Sequence, residues 1–257
     1  MFTTDMKRNI MVSSVGAVTA ELLTIPVCTI RTNYQTKIDN SLSTWGYIKN
    51  IYARGGIKSF YNASWASSCS QVGSLAIKYT AYENIKYIRN KNKTEIKHEF
   101  LNNCVNSVAS SWIASVFHHP FDVTKIHIQR GDKIMDQIKI DGWFKTLSAG
   151  YSKTLVRNTC VSIIFPLHDM YKKLLTQYDF ESTSKTILAP ILTSATSTLT
   201  LYPLEYVRNR QMVGLSWRHG YDFKCYYRGV SLALVRNITH FSTFIITAEW
   251  IKHKLFE

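Results

Sequence analysis

The sequence predicts an all-α fold built from three tandem repeats, and three recurring landmarks predict it. The first is a proline followed two residues on by an acid and three further on by a base. It reads Pro26-Val27-Cys28-Thr29-Ile30-Arg31, with cysteine in the acid's place, then Pro120-Phe121-Asp122-Val123-Thr124-Lys125 and Pro203-Leu204-Glu205-Tyr206-Val207-Arg208. The prolines lie 94 and 83 residues apart, further than common solenoid units, so each repeat is domain-sized. The second landmark sets an acid three residues before a lysine, in Glu83 and Lys86, Asp169 and Lys172, and Glu249 and Lys252. The third is a gapless match of the stretch from Gly150 to Arg157-Asn158 on that from Gly229 to Arg236-Asn237. The repeats divide the chain into residues 1–92, 93–180 and 181–257, each long enough for a helix pair.

Composition narrows the class. The 257 residues carry 31 bases against 17 acids, a net charge of +14. That balance also fits a nucleic-acid binder, but the bases are spread along the chain and no basic helix or aromatic RNA-binding motif appears. No nucleic-acid partner is expected. Mean hydropathy is −0.10, and no run of eighteen apolar residues exists, so hydropathy alone reads as soluble. The conflict with a membrane reading disappears if the helices line a water-filled cavity, because their inner faces are then polar. Residues 12–25, 105–117, 161–167 and 241–250 are moderately apolar and rich in Ser and Thr, which lets membrane helices pack closely.

Five cysteines show no C-x-x-C spacing and read as free thiols. His118 and His119 point different ways on a helix and have no third ligand at metal spacing. No P-loop, Ser-His-Asp or Cys-His arrangement stands out. No metal, no cofactor and no enzymatic activity are expected. Residues 1–9 lack the apolar core of a signal peptide.

The landmarks resemble the mitochondrial carrier family. Its signature is P-x-(D/E)-x-x-(K/R)-x-(R/K)-x-Q near the end of each odd-numbered transmembrane helix, with (F/Y)-(D/E)-x-x-(R/K) near the end of each even one. The resemblance covers nearly the whole chain. It implies an all-α membrane protein with six transmembrane helices in three pseudosymmetric repeats, and short amphipathic helices inside each pair. It further implies a monomeric multi-pass protein of the mitochondrial inner membrane, of the host cell if the source is viral. The Lys, Asn and Ile content suits an AT-rich genome such as a parasite's or a large virus's.

On this template the spans fall near 9–37, 62–89, 101–129, 151–177, 184–212 and 229–255. Pro26, Pro120 and Pro203 then lie inside helices, where each removes a backbone hydrogen bond and kinks its helix. Amphipathic linkers are expected at 44–53 and 222–227, with Gly55-Gly56, Asp141-Gly142 and Gly229 as punctuation.

The resemblance also assigns the charges. At the matrix-side gate it pairs Asp122 with Arg208 and Glu205 with Arg31. The remaining partners are Cys28 and Lys125, which cannot form a salt bridge, so this gate keeps two of three bonds. Gln35 and Gln129 match the family's bracing glutamine, and Met212 replaces it in the third repeat. The cytoplasmic-side gate is complete in Glu83, Lys86, Asp169, Lys172, Glu249 and Lys252. An acid and base three apart also form ordinary intrahelical pairs, but three at matched positions favour a gate. Substrate contacts fall seven residues after the glycine that opens each even helix. Counting from Ala63, Gly150 and Gly229 gives Ser70, Arg157 and Arg236, with Asn158 and Asn237 beside the arginines. Lys78 is two turns further along, and Glu21 is the acidic partner. Arg157 and Val156 compete for the second contact, because the spacing to the following acid is one residue shorter than in the other repeats and one residue turns a helix by about 100°. Tyr227-Arg228-Gly229 matches the family's lipid-binding triplet, cardiolipin being the implied lipid, at a helix start where free N–H groups hold phosphate.

Excess cavity cations point to a small anionic solute, a carboxylate or keto acid or a nucleotide, moved by alternating access and expected as antiport. A different class remains open: a transport-inactive carrier fold kept as a scaffold or import adaptor. Cys28 and Ala63 support it, and the complete second gate and paired Arg-Asn contacts oppose it.

Overall fold

A computed structural model describes residues 4–36, 43–92, 99–164, 167–178, 182–216 and 223–256, and every regular element among them is helical. In chain order the helices are α1 (Thr4–Thr36), α2 (Thr44–Gly55), α3 (Lys58–Tyr61), α4 (Ser64–Lys91), α5 (Glu99–Arg130), α6 (Ile134–Asp141), α7 (Trp143–Leu147), α8 (Tyr151–Ile164), α9 (Leu167–Gln177), α10 (Ser182–Met212), α11 (Phe223–Tyr226) and α12 (Val230–Phe256). Five predicted spans correspond to α1, α4, α5, α10 and α12. The sixth, 151–177, is described as α8 and α9, with residues 165 and 166 outside the described residues. The expected linkers are α2 and α11, and α6 with α7 forms the equivalent linker of the second pair.

The long helices close a ring. α1 packs on α4, α4 on α5, α5 on α8, α8 and α9 on α10, α10 on α12, and α12 back on α1. The closing seam is tight: a methyl group on Gly16 of α1 would lie 3.2 Å from the Phe244 ring of α12. Small residues give such backbone approach in membrane bundles.

Burial is distributed as a membrane requires. Large apolar side chains such as Leu23, Trp65, Val116, Phe117, Ile246 and Trp250 are exposed, while Glu21, Asn33, Gln35, Ser67, Ser110 and Asn209 are buried. A protein surrounded by water would reverse this, since apolar burial drives its folding. Met11–Thr36 and Phe223–Ala248 are long and apolar enough to cross a bilayer by composition alone; the other spans carry more polar inner faces. Many hydroxyls on the spans donate to a carbonyl of their own helix. Thr24, Thr193 and Thr198 donate to the carbonyls of Ala20, Ala189 and Ser194 at 2.7–2.8 Å, so they add little polarity to the lipid-facing or packed surface.

Pro26, Pro120 and Pro203 sit inside α1, α5 and α10, as does Pro190, which the repeat pattern does not contain. Counting from the three repeat prolines exposes a cyclic contact beyond the gate charges. The residue nine past each proline meets the residue six past the proline of another odd-numbered helix. Gln35 Oε1 accepts from Asn209 Nδ2 at 2.8 Å, and Gln129 Oε1 accepts from Thr32 Oγ1 at 2.7 Å. In the third instance Met212 and Ile126 are buried in one apolar cluster with Val123. The missing glutamine is thus replaced by a matching apolar contact rather than by a gap.

Glycines at the openings of α8 and α12 are structural. Gly150 has φ 72° and Gly229 has φ 84°, a region that costs other residues about 1–2 kcal/mol. A Cβ on Gly150 would also press to 3.3 Å from the Arg208 carbonyl oxygen and the Met212 nitrogen. At the matching place before α4, Ala63 has φ −90°, so the first repeat turns without a positive φ and alanine is unstrained there. Gly150→Ala should therefore destabilise the protein by at least about 1–2 kcal/mol, while Ala63→Gly costs less than about 1 kcal/mol. Thermal unfolding of the purified chain in detergent checks both, and equal stability of Gly150→Ala and wild type would refute the strain argument.

Candidate functional site

The inner faces of α1, α4, α5, α8, α10 and α12 enclose a cavity of about 280 Å³. Six cations line it, Arg31, Lys78, Lys125, Arg157, Arg208 and Arg236, against the carboxylates of Asp122 and Glu205. A third carboxylate, Glu21, lies fully buried behind Lys125 and Arg236.

The proline ends of α1, α5 and α10 bring the gate residues together. Arg31 Nη2 donates to Glu205 Oε1 at 3.1 Å, and Arg208 Nη2 donates to Asp122 Oδ2. The second pair is the more embedded. Ser70 Oγ donates to Asp122 Oδ1 at 2.5 Å, His118 Nδ1 lies 3.4 Å from Oδ2, and Arg208 Nε donates to Thr154 Oγ1 at 2.9 Å. Arg31 and Glu205 hydrogen-bond only to each other among the described residues.

Lys125 is not the unpaired lysine that the sequence implies. Cys28 is buried and lines the cavity, but Lys125 does not stop at its thiol. Its Nζ donates to Glu21 Oε1 at 2.7 Å. Glu21 and Cys28 are seven residues apart, close to two helical turns, so both face the same way. A neutral thiol is a weak acceptor, and the lysine pairs with the carboxylate instead. Arg236 Nη2 reaches the other oxygen of Glu21 at 2.7 Å, Ser67 donates to Oε1, Gln71 Nε2 donates to Oε2 at 3.3 Å, and His240 Nδ1 lies 3.7 Å away.

The expected substrate contacts divide. Arg157 lines the cavity, while Val156 is 48% exposed. Lys78 lines the cavity too, and neither it nor Arg157 has a carboxylate at ion-pair distance among the described residues. Asn158 lines the cavity and accepts from Arg157 Nη1 at 3.3 Å. Ser70 lines it, but its hydroxyl is committed to Asp122. Asn237 is turned away: it accepts from Arg236 Nη1 at 3.0 Å and donates to Thr198 Oγ1 at 2.5 Å, against α10.

The two glutamines do not brace the ion pairs as expected. Gln35 joins Asn209 and Tyr202, the latter at 2.8 Å, and Gln129 joins Thr32. A glutamine one turn beyond the basic residue faces the adjoining helix rather than the pair itself. At the far end, Lys86 and Lys172 are exposed and Glu83 is half-buried. The side chains of Asp169, Glu249 and Lys252 lie outside the described residues. In the lipid triplet, Tyr227 is exposed and Gly229 precedes α12 with a positive φ. The Arg228 guanidinium instead packs 4.4 Å from the Tyr34 ring and donates to Tyr47 at 3.2 Å. Residue counting missed His118, Ser111 and Gln71. Only His118 carried a signal, as the residue one turn before Asp122.

A closed helical ring, prolines inside its odd spans and acid–base pairs between their ends match what the sequence landmarks imply. A family model described as mitochondrial carrier protein matches residues 3–93. A mitochondrial carrier-like protein of Acanthamoeba polyphaga mimivirus is 34% identical over 94% of both chains. The chain belongs to the mitochondrial carrier family. Two proteins of Dictyostelium discoideum are more distant: a mitoferrin, 24% identical over 45% of this chain and 39% of its own, and mitochondrial substrate carrier family protein J, 23% identical over 68% and 57%. As a carrier-family member it is a multi-pass membrane protein of the transporter class, with six transmembrane helices in three repeats.

The two ion pairs of this carrier should respond differently to reversal. Glu205→Ala strands Arg31 and should cost about 3–5 kcal/mol. Arg31→Glu combined with Glu205→Arg should restore most of that loss, because the pair has no other hydrogen-bond partners among the described residues. Asp122→Arg with Arg208→Glu should restore much less, since Ser70, His118 and Thr154 are arranged for the native polarity. Unfolding midpoints of the single and double variants test this; equal recovery in both pairs would contradict it.

Proposed function

We propose that this carrier moves a small anionic metabolite across the mitochondrial inner membrane by alternating access, in exchange for a second solute. The observation that carries the reading is the charge of the cavity. Six cations face three carboxylates, and Lys78 and Arg157 have no acidic partner among the described residues. A cation inside a bilayer is expensive unless paired or hydrated, so its retention favours function over packing. An anion entering the cavity supplies the missing charge. Carboxylates, keto acids and nucleotides all present it, and the guanidinium of Arg157 offers the planar fork that holds either a carboxylate or a phosphate.

The scaffold reading is weakened at one of its supports. Cys28 removes one gate acid, but Lys125 finds Glu21 instead, so the departure leaves no orphaned charge. Kinship with a carrier-like protein of a large virus is consistent with a viral source and with action in a host's mitochondria.

Uptake of labelled carboxylates, keto acids and nucleotides into liposomes tests the proposal. Arg157→Ala should reduce uptake about tenfold or more, since a charge-assisted hydrogen bond contributes roughly 1.5–3 kcal/mol. Arg157→Lys should recover part of it, because lysine lacks the planar fork. Val156→Ala, on the outer face, should leave transport unchanged. Arg236→Ala should also impair uptake, with a loss of stability from the uncovered Glu21. Wild-type uptake confined to cationic or neutral solutes would overturn the anion reading.

A further inference from the structure

We infer that Glu21 is the third carboxylate of the proline-end gate, displaced two turns along α1 from the place that Cys28 occupies. The inference rests on the carrier reading and is independent of which solute is carried. Cyclic pairing leaves one interface, α1 against α5, without an acid at the level of the other two. Lys125 belongs to that interface and makes its ion pair there after all, at 2.7 Å to Glu21. The displacement is possible because seven residues bring α1 round to nearly the same face, and because a lysine side chain spans much of the roughly 10 Å axial rise.

The surroundings are those of a committed ion site. Glu21 has no exposed side-chain surface, and both oxygens are occupied: Oε1 by Lys125 and Ser67, Oε2 by Arg236 and Gln71. Those donors come from α5, α4 and α12. One carboxylate therefore ties α1 to three other helices, where Asp122 ties α5 to two, α10 and α4, and Glu205 ties α10 to α1. Arg236 is also a cavity residue. Gate and proposed solute site consequently draw on the same carboxylate.

Relocating the charge tests this without any solute. Glu21→Gln should lower the unfolding midpoint of the full chain in detergent by about 10 °C. Adding Cys28→Asp offers Lys125 an acid at the level of the other two pairs and should return at least half of the loss. That recovery should vanish when Lys125→Met is introduced as well. Should Glu21→Gln alone fail to fold, recovery of folded protein on adding Cys28→Asp, and its loss with Lys125→Met, tests the same pairing. A gate role adds a second readout. Peptide-resolved alkylation by N-ethylmaleimide should quicken about tenfold at Cys28 in Glu21→Gln while exposed Cys69 is unchanged, because local opening exposes a buried thiol. Equal losses from Cys28→Asp with and without Glu21, a recovery that survives Lys125→Met, or an unchanged Cys28 rate would each overturn the inference. Uptake is not read, so a chain that carried no anion would give the same result, and the two readings fail separately.

Discussion

A charge inside a bilayer must be paired or kept wet, and this constraint organises the protein. Much of its inward charge, Arg31, Asp122, Lys125, Glu205 and Arg208, lies on one band of the ring, where α1, α5 and α10 converge past their prolines. Helices that carry such residues cannot turn them to lipid, so the ring must close and its faces must segregate. The closure is seen at α1 and α12, where Gly16 admits Phe244. The segregation is seen in exposed Leu23 and Trp250 against buried Glu21 and Asn209. The ion pairs thus specify orientation as much as they stabilise. A buried pair is a weak source of net stability but an expensive thing to break, and that is what a reversible gate requires.

The repeats were legible because each is marked by residues whose spacing is local. Proline, acid and base lie within six positions, and the resemblance to the carrier family then implies the pairing of Asp122 with Arg208 and of Arg31 with Glu205. Where contact depends on side-chain reach across helices, counting failed. Lys125 and Glu21 are 104 residues apart and two turns out of register, and the sequence offered only a cysteine where an acid belonged. The choice between Arg157 and Val156 stayed open for a similar reason: one residue of spacing is about 100° of helix, and only packing on the neighbouring helices fixes the face. Hydropathy misled outright. Averaged along a span, a polar inner face and an apolar outer face cancel, so the mean reports neither.

The three interfaces between odd-numbered helices are equivalent by position but not by chemistry. Between α1 and α10 both levels are polar, with Arg31–Glu205 above Gln35–Asn209. Between α1 and α5 the ion pair is displaced to Glu21, while Thr32–Gln129 keeps its level. Between α5 and α10 the ion pair is also bonded to Ser70 and Thr154, yet the brace is the apolar contact of Met212 with Ile126. These differences bear on how the ring opens. A hydrogen bond weakens steeply once its distance and angle leave a narrow range, whereas an apolar contact loses attraction gradually and tolerates sliding. The α5–α10 brace therefore permits movement that the α1–α10 brace resists. At the α1–α5 interface the carboxylate that holds Lys125 also holds Arg236, which lines the cavity, so under the proposed function an anion arriving beside Arg236 competes with Glu21 for that guanidinium.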